Sequence, residues 1–508
     1  MPKDGILISV NIKAMFEISK KNEAEVFVRS DDRGALAELS EYFTFFVEGY
    51  KFVPSFRNKL WDGKCRLFNS RSNTLPYGLI GELAKFAKER GYDVEYHSSL
   101  QSKLPSRQEV IDFISNLKLA ARGSAITPHD YQIEAVVQSL TSGRVLVLSP
   151  TGSGKSLIIY MLLRWYIDHE SEHALIVVPT TSLVEQLYSD FCDYSSLDPE
   201  FNTERLFHRI YSGKEKEVPG TRATITTWQS AITCADSWFK KYGMIIGDEA
   251  HQFKAKSLNK IMNTLTNANF RIGTTGTLDG SKCNERVLIG NFGPIFKVTT
   301  TKDLIERKTL AQLNIQCIVL DYDDEIKKAV SKLDYASEID VIISHAARNR
   351  FIVNLAKSLK GNSLVIFNYV VKHGKPLYNA LCASAPDRKI YYVSGETDTD
   401  IRESVRHEVE SQDNAIIVAS SATFSTGINI RNLHNIIFAA PTKSQIKILQ
   451  SIGRGLRISD NGQSTTVYDI SDNFAWKKKK NFSLKHGAER AAIYDKEGFN
   501  YKIYTVKL

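Results

Sequence analysis

Two periodicities alternate along this chain of 508 residues. Short apolar runs read as buried strands: VLVLS at 145–149, ALIVV at 174–178, ATITT at 223–227, GMIIG at 243–247 and RIGTT at 271–275. Between them lie stretches whose apolar positions recur every three or four residues, the spacing of a helix with one buried face. A second series begins near 340 and contains SLVIF, KIYYV, AIIVA and NIIFA. Strands alternating with helices predict parallel, doubly wound sheets, because each crossover helix must cover a sheet face. Two series therefore predict an α/β chain with two such lobes.

The flanks follow other patterns. Residues 1–95 read as a small α+β unit, with strand-like alternation in EVFVRS and helical spacing in RGALAELSEYF and LIGELAKFAKERG. Residues 96–123 form an expected linker, with a helix opening at Pro105-Ser106. The first lobe is expected over 124–315 and the second over 316–475, with 279–340 bridging the two strand series. Residues 476–508 are expected to be a basic extension.

Composition narrows this picture only a little. Hydrophobic residues make up 43% of the chain, ordinary for globular protein, and the net charge of +9 hints at a polyanionic partner. The six cysteines show no C-x-x-C pair and no zinc-finger spacing to histidine, so they read as reduced thiols. The first residues lack the apolar core of a signal peptide, and no apolar run reaches the roughly 18 residues of a membrane span. A cytoplasmic protein is expected, with no membrane partner.

SPTGSGKS at 149–156 falls between a predicted strand and a predicted helix, the context of a phosphate loop. Its backbone N–H groups would face an anion at a helix N-terminus. Thr151, Gly152, Ser153 and Gly154 would cradle phosphate, Lys155 would reach the β/γ-phosphates, and Ser156 would ligate Mg²⁺. Ser149 stands where the strict pattern has its first glycine. Some 90 residues on, GMIIGDEAH places Asp248 after an apolar run, positioned to hold Mg²⁺, with Glu249 beside it to orient or deprotonate a water. ATP and Mg²⁺ are the expected ligands. A protein-kinase reading fails for want of H-R-D and D-F-G, and a switch-GTPase reading fails on the DEAH box and the second lobe.

SPTGSGKS and DEAH together resemble the superfamily 2 helicases and translocases, which often carry Ser or Ala at the position of Ser149. The resemblance implies two RecA-like lobes and adds His251 to the catalytic set. It also implies further motifs. Gln132 in ITPHDYQIEAV is the expected adenine reader. Pro179 and Thr180 in IVVPTTSLVEQL, and Thr227, Trp228 and Gln229 in TITTWQS, are the expected nucleic-acid backbone contacts. Thr275-Gly276-Thr277 stands where many relatives have Ser-Ala-Thr, in the motif that couples hydrolysis to movement. In the second lobe ASSATFSTGINI carries Thr426, expected on nucleic acid, and Gly427, expected on ATP. QSIGRGLR carries Gln450 and the candidate arginine fingers Arg454 and Arg457, one helical turn apart.

The substrate must be read from the flanks. In YKFVPSFRNKLWDGKCRLF, Lys51, Arg57, Lys59, Lys64 and Arg66 oppose Asp62, with Phe52, Phe56 and Trp61 interleaved. Two readings stand side by side. One is a nucleic-acid surface in which Arg57, Lys59, Trp61, Lys64 and Arg66 make the contacts. The other is a β-hairpin with Trp61 in a small core and Asp62-Gly63 in its turn. The tail carries nine cations, Lys477–Lys480, Lys485, Arg490, Lys496, Lys502 and Lys507, against Glu489, Asp495 and Glu497, and would extend a DNA path.

SFRNKLWDGKCRLF, LPYGLIGEL, PHDYQIEAV and the closing HGAERAAIYDKEGFNYKIYTVKL resemble the UvsW-type DNA helicases of T-even-like phages, over essentially the whole chain. That resemblance implies an ATP-dependent motor that remodels branched DNA in recombination-dependent replication and repair. It implies double-stranded DNA binding by the N-terminal unit, with Holliday junctions, forks, D-loops and RNA–DNA hybrids as substrates. A phage-encoded chain would work in the host cytoplasm. A monomer is expected, with a recombinase and a single-strand binding protein as candidate partners. A DEAH-type RNA helicase, a restriction-type translocase subunit and an ATP-dependent DNA-binding or annealing protein are the alternatives.

Overall fold

Alternation in MFEISK and EVFVR turns Phe16, Ile18, Val26 and Val28 to one face, and these become the strands β1 (Met15–Lys20) and β2 (Glu25–Arg29). The computed structural model describes residues 15–211, 213, 215–421, 423, 430, 432–440, 464–477 and 479–508. The helix α1 (Arg33–Tyr42) starts where the Asp32 side chain accepts from the backbone N–H groups of Gly34 and Ala35. β3 (Thr44–Phe46) pairs antiparallel with β4 (Lys64–Arg66), and the one-turn helix α2 (Pro54–Arg57) lies between them in sequence. β5 (Thr74–Pro76) and β6 (Asp93–Tyr96) complete a sheet of order β5-β2-β1-β6. α1 and α3 (Ile80–Arg90) contribute Ala35, Leu39, Leu83, Phe86 and Ala87 to its core.

The chain divides into two compact units, Met1–Leu148 with Ser156–Val298, and Ser149–Lys155 with Thr299–Leu508. Within the first, the N-terminal sheet shares its apolar core with Ile289 of the parallel-sheet region. Glu23 pairs with Arg144, Glu82 pairs with Arg286 at 2.6 Å, and the Arg144 guanidinium lies 3.9 Å from the centre of the Tyr77 ring. Gly78 is in contact with the backbone here: a Cβ at that position would sit 1.9 Å from the carbonyl oxygen of Ile289.

The expected linker belongs to the same packing. α4 (Arg107–Asn116) opens with a reciprocal cap between Ser106 and Glu109 and buries Val110 and Ile114. β7 (Ala120–Ala121) and β8 (Ser124–Ala125) form a minimal pair before α5 (Asp130–Ser142).

The first parallel sheet contains β9 (Arg144–Leu148), β10 (His173–Val178), β11 (Phe207–Ile210), β12 (Ala223–Thr227), β13 (Tyr242–Asp248), β14 (Phe270–Thr275) and β15 (Ile295–Lys297). Its order is β11-β12-β10-β13-β14-β9-β15, and every pair is parallel. β9 and β13 are thus separated by one strand, β14, and their carboxyl ends lie on the same edge. α6 (Lys155–His169) buries every residue from Leu157 to Ile167, as expected of a helix packed on all sides. Arg164 on it is buried against Asp198, 2.9 Å away, with Phe201 under its guanidinium.

The second parallel sheet contains β16 (Leu313–Asp321), β17 (Ser363–Phe367), β18 (Ile390–Val393), β19 (Ile416–Ser420), β20 (Asn435–Phe438), β21 (Thr465–Asn473) and β22 (Tyr501–Lys507), in the order β18-β19-β17-β20-β21-β16-β22. β16 spans the expected lobe boundary at 315, inside a stretch read as a bridge. The tail is built into the lobe, because β22 pairs with β16 from Ile315↔Tyr501 to Asp321↔Lys507. The helix Phe482–Glu497 before it is anchored by Arg490, which is buried against Asp469, and by the Glu338 carboxylate, which accepts from the N–H groups of Phe482 and Ser483. Arg490 is therefore a core residue and does not face a DNA path. Buried Asp472 accepts from Arg348 at 2.7 Å and from the Tyr322 hydroxyl at 2.8 Å.

Candidate functional site

Three strands of the first sheet deliver polar chemistry to one edge. β9 ends at Leu148, the loop 149–154 follows, and α6 begins at Lys155. Gly152 and Gly154 take φ of +84° and +77°, a region costly to any side chain with a Cβ, so both glycines are required by the turn. Ser149 is buried, and its hydroxyl lies 2.6 Å from that of Ser153, which donates to the Pro150 carbonyl at 2.6 Å. A glycine at 149 would leave Ser153 without that partner, so Ser149 is part of the loop's frame.

Ser156 is half-buried, and its hydroxyl lies 2.7 Å from the Tyr194 hydroxyl at the end of α7 (Thr181–Tyr194). Asp248 closes β13 and is buried; its Oδ1 accepts from the Thr274 hydroxyl on β14 at 2.7 Å. Adjacent strands set this pairing, since Asp248 and Thr274 are cross-strand partners. Glu249 takes φ +50° and ψ +50°, a left-handed conformation that costs a non-glycine residue about 1–2 kcal/mol and turns the chain sharply off the strand. His251 Nδ1 lies 3.3 Å from Glu249 Oε2 and 3.1 Å from the Thr275 hydroxyl, which itself donates to the Thr277 carbonyl. The acidic box and the T-G-T stretch are thus tied together through one imidazole.

Ser156 and Asp248 offer the hydroxyl and carboxylate oxygens that Mg²⁺ takes, with phosphate and water filling its other positions. The described residues contain no cluster of three or more His, Cys, Asp or Glu side chains that could hold a metal ion.

Gln132 is buried, and its Oε1 accepts from the His129 N–H at 2.9 Å, a reciprocal helix cap at the start of α5. Thr180 caps α7 just beyond β10, and Thr227, the last residue of β12, caps the short helix Trp228–Ala231. β10 and β12 are neighbours, paired Val178↔Thr227, so Pro179, Thr180 and Thr227 to Gln229 occupy adjacent strand ends; Gln229 is exposed, while Trp228 packs on the core. In the second unit Ser420 and Thr423 share a hydrogen bond of 2.7 Å. Thr426, Gly427, Gln450, Arg454 and Arg457 lie outside the described residues.

In the N-terminal part the hairpin expectation needs correcting. β3 and β4 do pair, but Asp62-Gly63 is not a two-residue turn: residues 47–63 form a longer excursion holding a 3₁₀ turn and α2. Trp61 is half-buried outside the core, with its indole N–H donating to the Lys64 carbonyl at 3.0 Å. Arg66 is paired with Asp62. Arg57, Lys59 and Lys51 are exposed.

Sequence reasoning missed Thr274 and Tyr194. The doubled threonine at the end of RIGTT could have signalled the first, since a buried strand has little other use for two hydroxyls. Nothing local signals Tyr194, which lies 38 residues from its partner.

Comparisons with known proteins agree with this layout. The family "DNA helicase UvsW, N-terminal" matches residues 17–97, "Type III restriction enzyme, res subunit" matches 125–280, and "Helicase conserved C-terminal domain" matches 346–459. The chain is 36% identical over 499 residues to the ATP-dependent DNA helicase uvsW of Enterobacteria phage T4, covering 95% of this chain and 98% of that protein. The crystal structure of T4 UvsW aligns with a TM-score of 0.52 at 34% identity, over 97% of this chain and 99% of that one. A putative HsdR subunit fragment of a type I restriction enzyme from Vibrio vulnificus YJ016 aligns with a TM-score of 0.55 at 14% identity, over 88% and 77%, a likeness of fold alone.

Proposed function

Because this chain belongs to the UvsW family of ATP-dependent DNA helicases, we propose that it couples ATP hydrolysis to the remodelling of branched DNA. Branch migration, fork regression and unwinding of D-loops and R-loops are the reactions in view. The observation that carries the reading is the shared edge: the phosphate loop follows β9, the acidic box follows β13, and Thr274 and Thr275 of β14 hydrogen-bond to that box between them.

In this reading Lys155 and the loop N–H groups hold the ATP phosphates, and Gln132 meets the adenine. Glu249 accepts a proton from the attacking water while His251 fixes the carboxylate's orientation. Mg²⁺, held by Ser156 and Asp248, would supply charge neutralisation at the phosphates. Arg454 and Arg457 serve as arginine fingers, with Gln450 beside them and Gly427 near the nucleotide. Thr180, Thr227, Gln229 and Thr426 contact the DNA backbone, with Pro179 and Trp228 setting their loops. The Thr275–His251–Glu249 chain of contacts offers a direct route from hydrolysis to the T-G-T loop. Arg57, Lys59 and Lys64 contact DNA phosphates from the N-terminal part, with Trp61 beside them. Arg66, exposed and paired with Asp62, is a further candidate phosphate contact.

ATP hydrolysis measured with forked DNA, duplex DNA, single strands and RNA tests the reading. Fork DNA is expected to stimulate most. Stimulation by RNA alone would replace it with the RNA-helicase alternative. Strong DNA binding with flat hydrolysis would favour a DNA-binding or annealing protein.

A further inference from the structure

Among the described residues, Leu60 and Phe52 are the two most exposed large hydrophobic side chains, at 82% and 76%. Both lie on the excursion between β3 and β4, and Phe46 at its base is 55% exposed. Cations surround them: Lys51, Arg57 and Lys59 are exposed, and Lys64 lies 5.1 Å from the centre of the Phe46 ring.

This excursion is braced. Tyr50 stacks on Phe46 at 4.8 Å and meets Phe56 edge-on at 4.8 Å. Gly63 passes beneath Tyr50 so closely that a Cβ there would sit 2.4 Å from the ring. The Val47 N–H donates to the Gly63 carbonyl at 2.9 Å, closing the base, and the Trp61 indole is fixed to the Lys64 carbonyl. Lys51, Phe56, Arg57, Lys59, Leu60, Trp61 and Asp62 line one open cavity of about 600 Å³. Phe52 and Leu60 thus project from an excursion whose base is braced by packed rings, and most of the surface of each faces water. Ordered apolar groups left exposed within a basic surface mark a binding site.

We propose that this knob is a wedge for the branch point of DNA, with Phe52 and Leu60 packing on the base faces exposed where a duplex ends. Lys51, Arg57, Lys59 and Lys64 take the flanking phosphates. The proposal rests on the DNA-remodelling reading and gives it a structure-selective element. An unbroken duplex presents stacked bases and offers these side chains no apolar face without unstacking, whereas a branch offers one already open. The cations serve any DNA; the apolar pair discriminates.

The test uses the full chain without nucleotide and a fork carrying 2-aminopurine at the branch. Wild-type protein is expected to change its fluorescence on binding. F52S/L60S should lose most of that signal and about tenfold in fork affinity, with less than a twofold loss on blunt duplex. Unchanged thermal melting checks the fold, and F52W/L60S, which returns an aromatic ring to position 52, should recover part of the signal. A double variant that keeps both signal and fork preference overturns the wedge, as does an equal loss on fork and duplex. Wild-type ATP hydrolysis on the same fork separates the two claims. No stimulation there defeats the remodelling reading; stimulation with an indistinguishable variant defeats the wedge alone.

Discussion

The carboxyl edge of the first parallel sheet and the knob between β3 and β4 present their chemistry in opposite ways. At the sheet edge the polar groups are buried or half-buried and hold one another: Ser149 with Ser153, Asp248 with Thr274, His251 with Glu249 and Thr275. On the knob the cations and apolar side chains are exposed, and the order lies underneath, in Phe46, Tyr50 and Phe56. The first arrangement suits the proposed nucleotide, with its polar groups already held in place; the second suits the proposed DNA contact, with its side chains turned to solvent.

The largest expected effect breaks the first region and spares the second. Lys155→Ala and Glu249→Gln should each lower ATP turnover by about 100-fold or more, while DNA binding measured by anisotropy persists. Retained turnover in either variant removes that residue from the site. Next, R57E/K59E should weaken duplex binding by about tenfold and flatten its salt dependence, since each phosphate contact releases counterions. An unchanged salt slope would place the DNA elsewhere.

The two regions also differed in how far they could be read from sequence. Gly152 and Gly154 are needed because φ is positive there, and Asp248 must follow an apolar strand to reach the edge, so composition and order expose them. The nine runs read as strands in the two lobes are all strands, as is EVFVRS in the N-terminal unit. β16, β21 and β22 were overlooked because each mixes polar residues into its run, as in LNIQCIVLD. Exposure, by contrast, leaves no mark on sequence. YKFVPSFRNKLWDG shows aromatics among cations, but which rings brace and which project depends on the pairing of β3 with β4 and on Gly63 beneath Tyr50. Arg490 illustrates the same limit: it read as tail charge and is a buried partner of Asp469.

Smaller effects concern the seam that joins the N-terminal sheet to the first parallel sheet. Deleting residues 1–95 would strip cover from Ile289 and leave Arg144 and Arg286 without Glu23 and Glu82, so point substitutions are the cleaner probe. Gly78→Val should lower stability by about 1–3 kcal/mol, read by thermal melting, because backbone occupies the space. Glu82→Gln should cost about 1 kcal/mol. Burial opposes ionisation of Glu82, but Arg286 and Lys85 outweigh it and hold its carboxyl below the ordinary range. Its contribution is therefore full above the ordinary carboxylate pKa and is lost as pH falls through the lowered value. A wild-type minus Glu82→Gln melting difference that survives acidification would contradict this. Last, the neighbouring Cys283 thiol holds Cys65 below the ordinary thiol range while Cys283 itself is buried and held above it, so Cys65 should alkylate faster than Cys283 near neutral pH, read by mass spectrometry.

The central claim, an ATP-driven motor selective for branched DNA, is tested most directly by steady-state ATP hydrolysis across matched fork, duplex, single-strand and RNA substrates. The account predicts the highest turnover on the fork, with F52S/L60S erasing the advantage of fork over duplex. Equal turnover on all DNA forms, or stimulation by RNA without stimulation by forks, would contradict it.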